Sequence, residues 1–398
     1  MNKHSKNAAK RKMRGALRVA DCNLLADAVA IGIDLGDSSS NICVVDAAGE
    51  IESESRIRTT EAGVRAYFEH LAPARVAMET GTHSGWVSRL IAEYGHHVIV
   101  ANARELRNIH QSNHKNDRAD AEALARMLRA DPRLLAPVTL RSAAMQNDMA
   151  LLRARDVLVR TRARCTTAAR GLVKASGKRL PGCSTESFPR KVRAYIPAEL
   201  QGALEPLLAV LEALDVQIRS CDEQIATMAQ ERYPASAVLE QIAGIGTLTA
   251  VAFMLTLGDC GRFEHSRDVG PYLGLVPRQA DSGACSPQLG ITKAGNSSMR
   301  RLLVGSAQYI LGRFGPDTDL RRFGLRIAAR GGKNAKKRAV IAVARKLAVL
   351  LHRLWVTAEC YEPLRNERLA QTASPTATTA TASTAASSTA TTAVETAA

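Results

Sequence analysis

From Val29 onward the apolar positions come in short runs with two different periods. VAIGIDLG and NICVVDAAGEI alternate with period two and read as strands, and the D-A-A-G-E stretch predicts a hairpin turn into a third strand over about 52–58. Residues 61–71 take up helical spacing, RVAMET is a short buried strand, and SGWVSRLIAEYG is an amphipathic helix that Gly95 stops. HVIVANA is another short strand. A helix beginning near Asn116 carries DRADAEALARMLRA and ends before Pro132. This alternation of β and α elements predicts a mixed sheet flanked by helices.

Strand signals fade between about 139 and 233. Two long stretches with few glycines and recurring apolar positions, SAAMQNDMALLRARDVLVRTRARCTTAARGLVKAS and LEPLLAVLEALDVQIRSCDEQIATMAQERY, predict an antiparallel helical pair or coiled coil. The segment between them, 177–197, reads as loop. A further unit covers about 234–365, and the Thr/Ala/Ser stretch from Gln371 is too polar to bury a core and is expected to be disordered. The expected division is therefore 1–25 (a basic arm with Lys10, Arg11, Lys12 and Arg14), 26–137, 138–233, 234–365 and 366–398.

Charge narrows the class of partner. The 398 residues carry a formal net charge of +16, and Lys and Arg recur from Lys3 to Arg368 rather than in one tail. Such a surface attracts polyanions, so nucleic acid is the leading partner. The eight cysteines (Cys22, Cys43, Cys165, Cys183, Cys221, Cys260, Cys285, Cys360) form no C-x-x-C or Cys/His group, which argues for reduced thiols and against a zinc module. No apolar run approaches the ~20 residues that cross a bilayer, and a cytoplasmic, nucleoid-associated location is expected.

Four carboxylates stand out against this background. Asp34 closes one apolar run, Glu79 closes another, and Asp117 and Asp120 are three apart at the start of a helix, hence on one face. A site that cuts phosphodiesters with Mg²⁺ or Mn²⁺ needs hard oxygen ligands converging from separate elements. Taken singly, each acid has a structural reading: a strand-end Asp, a salt-bridged Glu, and an N-capping Asp117 with Asp120 supporting the first turn. The glycines of Ile31-Gly32-Ile33-Asp34-Leu35-Gly36 permit close approach of a phosphate, and the same string resembles the first phosphate loop of actin-like and sugar-kinase ATPases.

In order, strand Asp, strand Glu and helical D-x-x-D, with the basic approach Asn113-His114-Lys115-Asn116-Asp117-Arg118-Ala119-Asp120-Ala121, the sequence resembles the DEDD transposases of bacterial insertion sequences, the family numbered one hundred and ten, described as bridge-RNA-guided recombinases. The resemblance implies an α/β ribonuclease-H-like (RuvC-like) N-terminal domain, similar to the Holliday-junction resolvase, that carries the four acids. It also implies a helical middle and a mainly α C-terminal transposase domain.

In that last region Ile242-Ala243-Gly244-Ile245-Gly246-Thr247 lacks the third glycine of a dinucleotide fingerprint and reads better as a helix-hairpin-helix, with Gly244 and Gly246 allowing backbone approach to a phosphate. Downstream come Gly274-Leu275-Val276-Pro277-Arg278, Ser282-Gly283, Gly290-Ile291-Thr292-Lys293-Ala294-Gly295-Asn296, a helix with Arg300 and Arg301, and a basic helix start with Lys333, Lys336 and Lys337. By the resemblance, Ser282 is the nucleophile, while Lys115, Arg118, Arg278, Lys293, Asn296 and the later cations hold DNA or RNA. Family members often carry basic residues after the serine-glycine pair, where this chain has Ala284-Cys285-Ser286-Pro287-Gln288, so Ser286 competes for the role and Cys285 follows it.

A serine hydroxyl is a weak nucleophile unless its proton is removed or its alkoxide stabilised, and the acids supply what it lacks. The expectation is an insertion-sequence recombinase acting on donor and target DNA as a homo-oligomer, dimer or tetramer, with a structured guide RNA implied by the resemblance alone. Three other readings remain open: a water-using nuclease, a non-catalytic nucleic-acid-binding protein and an actin-like ATPase.

Overall fold

The computed structural model describes residues 29–106, 116–280, 282, 289–366 and 368. The basic arm and the Thr/Ala/Ser tail lie outside them. The chain divides into two compact units, 1–150 and 151–398.

The first unit is built on a five-stranded sheet: β1 (Ala30–Asp34), β2 (Ser39–Val45), β3 (Ile51–Arg58), β4 (Arg75–Glu79) and β5 (His97–Ala101), in the order β3-β2-β1-β4-β5. The first three strands are antiparallel, and β4 and β5 run parallel to β1. The D-A-A-G-E turn forms as expected. The Asp46 carboxylate accepts from the Gly49 and Glu50 amides at 2.8 and 2.9 Å, and those bonds hold its pKa below the usual carboxylate range.

Three helices cover the sheet: α1 (Glu61–Phe68), α2 (Ser84–Glu93) and α3 (Asp117–Ala130). The hydroxyl of Thr60 caps α1 by accepting from the Gly63 amide, and Gly95, at φ 83°, takes the left-handed conformation that ends α2. Ile31, Ile33, Val76 and Met78 pack with Phe68 of α1 and Ile91 of α2 on one face. Ala30, Ala77 and Ala101 pack with Leu124 and Leu128 of α3 on the other, where Cys43 and Val45 meet Ala121 and Ala125.

Helix α4 (Ala143–Ala175) spans the division between units, and α5 (Gln201–Arg232) lies wholly in the second. Arg155 pairs with Asp222, Arg162 with Asp215 at 2.6 Å, and Ala169 and Val173 share a buried cluster with Leu208 and Leu204. Each step of seven along α4 is matched by seven back along α5, the signature of the antiparallel pair expected from the pattern.

The connecting segment is not the plain loop that its sequence suggests. It contains a short helix, Phe188–Val192, whose two end residues are fully buried in that cluster. The Arg170 guanidinium lies 4.8 Å from the Phe188 ring and donates to the Leu180 and Pro181 carbonyls, which closes the segment down.

The rest of the second unit is helical: α6 (Thr247–Leu257), α7 (Ser297–Leu311), α8 (Asp319–Ala329) and α9 (Ala335–Thr357). Helix α6 is apolar all round and buried from Thr249 to Leu257, and α9 packs against α7 and α8. The imidazole of buried His352 on α9 joins the Ser266 hydroxyl and the Cys260 carbonyl at 2.9 and 3.0 Å, and burial pushes its pKa down. Among the described residues no helix is long and apolar enough to cross a membrane.

Candidate active site

Strand register brings the first two acids together. With β1 parallel to β4 and Ile33 opposite Met78, Asp34 and Glu79 end neighbouring strands at one level. Side chains alternate along a strand, so Asp34 shares the face of Ala30 and Gly32, and Glu79 that of Ala77. This is the face that α3 covers. Both residues are half-buried, and both make interactions within the fold.

Gly32 seats α3. A Cβ added there would lie 2.0 Å from the Ala121 carbonyl oxygen and 2.6 Å from the Ala125 nitrogen, so the helix backbone rests directly on the strand. A Cβ at Gly36 would meet the Ser39 carbonyl at 2.2 Å. The glycines read from sequence as room for a phosphate are filled by the protein's own backbone, which corrects that expectation.

The helix cap falls to Asn116, whose side-chain oxygen accepts from the Arg118 amide at 3.2 Å. Asp117 is thereby released from capping and is exposed, while Asp120 is half-buried. Asp117 lines a cleft of about 390 Å³ with Asn41, Glu54, Arg56 and Arg118, and Asn41 is the register partner of Asp34. All four acids thus belong to one end of one sheet face, two on strand ends and two on the first turn of the covering helix. Among the described residues no three Asp, Glu, His or Cys side chains stand close enough to hold one ion. Mg²⁺ asks less, since it binds through one or two carboxylates and completes its shell with water and substrate phosphate. Asp34 and Glu79, ending neighbouring parallel strands, are two such carboxylates.

Ser282 is exposed. The segments flanking its loop pair with one another: Pro277 bridges Ile291, the Arg278 amide donates to the Gly290 carbonyl at 2.9 Å, and the Thr292 amide donates to the Val276 carbonyl at 2.9 Å. Gly283, Cys285 and Ser286 lie outside the described residues, as does Lys115.

The remaining cations and polar residues named from sequence divide into two groups. Lys293, Lys333, Lys336 and Lys337 are exposed, and Arg278 is exposed on the stem of the serine loop. Others are already occupied: Arg118 pairs with Glu54 and Arg301 with Asp156, Arg300 donates to the Leu273 and Ala294 carbonyls, and Asn296 caps α7 by accepting from the Ser298 and Met299 amides. Gly244, at φ 91°, lies so close to Tyr309 that a Cβ would come within 2.8 Å of its ring, while nothing lies within 4 Å of a Cβ at Gly246.

Sequence reasoning missed two contributors. Asn41 stands beside Asp34 in the sheet, a neighbour set by strand pairing rather than by spacing. On α9, Arg345 and Lys346 line a groove with Arg278.

Comparison with known proteins converges on one group. A DEDD transposase model of the IS110 type matches residues 31–176, and a model described as the transposase IS116/IS110/IS902 family matches 236–322. The transposase for insertion sequence element IS1328 of Yersinia enterocolitica is 33% identical over 291 residues, covering 71% of this chain and 84% of the relative. The transposase for insertion sequence element IS1111A of Coxiella burnetii is 28% identical over 349 residues, covering 85% and 92%. A probable family 20 transposase of Pseudomonas aeruginosa is 28% identical over 341 residues, covering 84% and 98%.

Proposed function

Because the chain belongs to the IS110 family of insertion-sequence transposases, we propose that it cuts and rejoins DNA through Ser282, with Asp34, Glu79, Asp117 and Asp120 providing the seat for Mg²⁺ or Mn²⁺. The observation that carries this reading is the placement of all four acids at one end of one sheet face, by register for two and by the first helical turn for the others. The strand order, a three-stranded antiparallel meander extended by two parallel strands, supports a ribonuclease-H-like domain. The glycine turn between the short helix Ser236–Glu240 and α6 supports a helix-hairpin-helix contact with phosphate.

In the proposed reaction the Ser282 oxygen attacks a backbone phosphorus. A serine–phosphorus ester forms, the bond to one strand's oxygen breaks, and the serine proton passes by way of a general base to that leaving oxygen. The covalent ester keeps the bond energy of the backbone, so a strand hydroxyl can reverse the step and rejoin without an external energy source. When bound, the divalent ion supplies charge stabilisation for the crowded phosphate. A structured guide RNA and a homo-oligomeric assembly belong to this reading through the family resemblance.

The test is a denaturing-gel assay with element-end DNA and Mg²⁺, comparing wild type with Ser282→Ala, Ser286→Ala and Asp120→Ala. An adduct that survives denaturation in wild type and Ser286→Ala, and is absent in the other two, is the expected result. Adduct formation by Ser282→Ala overturns the nucleophile assignment, and cleavage without any adduct replaces it with water.

A further inference from the structure

A concave surface lies beside the serine loop. Its first wall is the paired stem that carries Ser282, and its second is a face of α9, enclosing about 870 Å³. Its apolar lining includes Leu275, Pro277, Ile291, Phe323, Ile341 and Val349. Five cations line it, Arg278, Lys337, Arg338, Arg345 and Lys346, and no carboxylate does.

Helical spacing explains how charge and apolar contact share one surface. Arg338, Ile341, Arg345 and Val349 follow one another by three or four residues along α9, so they form a single stripe. Among the described residues none of the five cations is paired with a carboxylate, although other arginines of this unit are: Arg301 with Asp156, Arg322 with Asp317 and Arg365 with Glu359. The Lys346 ammonium sits 4.4 Å above the Phe323 ring. Like charges gathered on one surface raise the energy of the unliganded protein, and a polyanion relieves that cost.

Double-stranded DNA does not match this chemistry. A duplex hides its base faces in its own stack, so it would leave the apolar lining wet, and a helix whose major groove alone is about 12 Å wide does not enter so small a cavity. A single strand offers both complements, phosphates for the cations and base faces for the apolar lining. An acidic amphipathic peptide would share the charge, but the groove wall is continuous with the loop of the proposed nucleophile, in a family whose work is done on DNA.

We propose that this groove binds single-stranded DNA, holding the few nucleotides next to the scissile phosphate while the strand is open. The inference rests on the strand-exchange reading above, because only a cut or melted strand exposes its bases. It adds a separate binding site, and its test does not depend on cleavage.

The experiment uses the full chain in EDTA, with a fluorescently labelled mixed-sequence oligonucleotide as a single strand or annealed to its complement, read by anisotropy. Ile341→Glu places a charge in the apolar lining, and Arg345→Ala with Lys346→Ala removes two of the cations. Each is expected to weaken single-strand binding by about tenfold or more while leaving duplex binding little changed. The double variant should also lower the salt slope for the single strand by about 1.4, at about 0.7 per lost phosphate contact.

Ser282→Ala should bind both forms like wild type, so failure of the nucleophile assignment would leave this test intact. Should Ile341→Glu lose cooperative thermal unfolding, the double variant at two exposed positions decides. Parallel weakening of single strand and duplex overturns the proposal in favour of a general basic surface. Unchanged binding of both overturns it outright, and displacement of the wild-type single strand by a glutamate-rich peptide at a far lower concentration than by unlabelled oligonucleotide reassigns the groove to a protein partner.

Discussion

The two faces of the five-stranded sheet are made from different residues, and the contrast separates the packing of the first unit from the placement of its four acids. Under α1 and α2 the sheet presents large side chains, Ile31, Ile33, Val76 and Met78, which interlock with Phe68 and Ile91. Under α3 it presents Ala30, Gly32, Ala77 and Ala101, so small that the helix backbone comes down onto the strand. The first face buries apolar area, worth roughly 25 cal/mol per Å². The second brings the first turn of a helix, with its two acids, to the strand ends that hold two more.

Asp34→Asn or Glu79→Gln should reduce strand cleavage by about a thousandfold or more, because several kcal/mol of charge stabilisation is lost, while the thermal midpoint stays near wild type. If stability falls and cleavage persists, the α3 face is a packing face like its opposite and the comparison collapses. Phe68→Ala, on the large-residue face, should cost about 3–5 kcal/mol in a denaturant titration, with near-normal cleavage per folded molecule at low temperature.

Gly32→Ala tests the seat of α3. The added methyl meets helix backbone at 2.0 Å, so the helix must move, costing about 1–3 kcal/mol and, through displacement of Asp117 and Asp120, up to about a hundredfold in cleavage. The smallest effect concerns Cys43, buried on the same face, whose thiol pKa is raised by burial first and then by Glu122 and Glu54. A raised pKa means less thiolate at any given pH, so alkylation at mildly alkaline pH should be slower at Cys43 than at exposed Cys360. Gly32→Ala should narrow that gap, which ties the reactivity to how closely α3 sits.

The strand-end positions of Asp34 and Glu79, the D-A-A-G-E turn and the helix start near Asn116 were legible from local chemistry. Register between β1 and β4 was not, because it is a pairing of distant segments that no local pattern encodes. Gly32 shows the limit most sharply: a missing side chain signals that something comes close, and only the fold reveals that it is Ala121 rather than a ligand. Phe188–Val192 was hidden for a related reason, since a single turn is stabilised by the cluster it plugs and not by its own spacing. On α9 the cations were visible in sequence, but the groove that gathers them needs the pairing of Pro277 with Ile291.

The antiparallel arm of α4 and α5 has a measuring property. Its partners repeat at intervals of seven, Arg155 and Arg162 against Asp222 and Asp215, so inserting seven residues into each helix at matched positions would preserve every existing match. At 1.5 Å per residue such an insertion moves the tip outward by about 10.5 Å. Reach in this arm is therefore quantised: it can be lengthened or shortened by whole repeats, and an insertion in one helix alone would throw the arginines out of step with their aspartates.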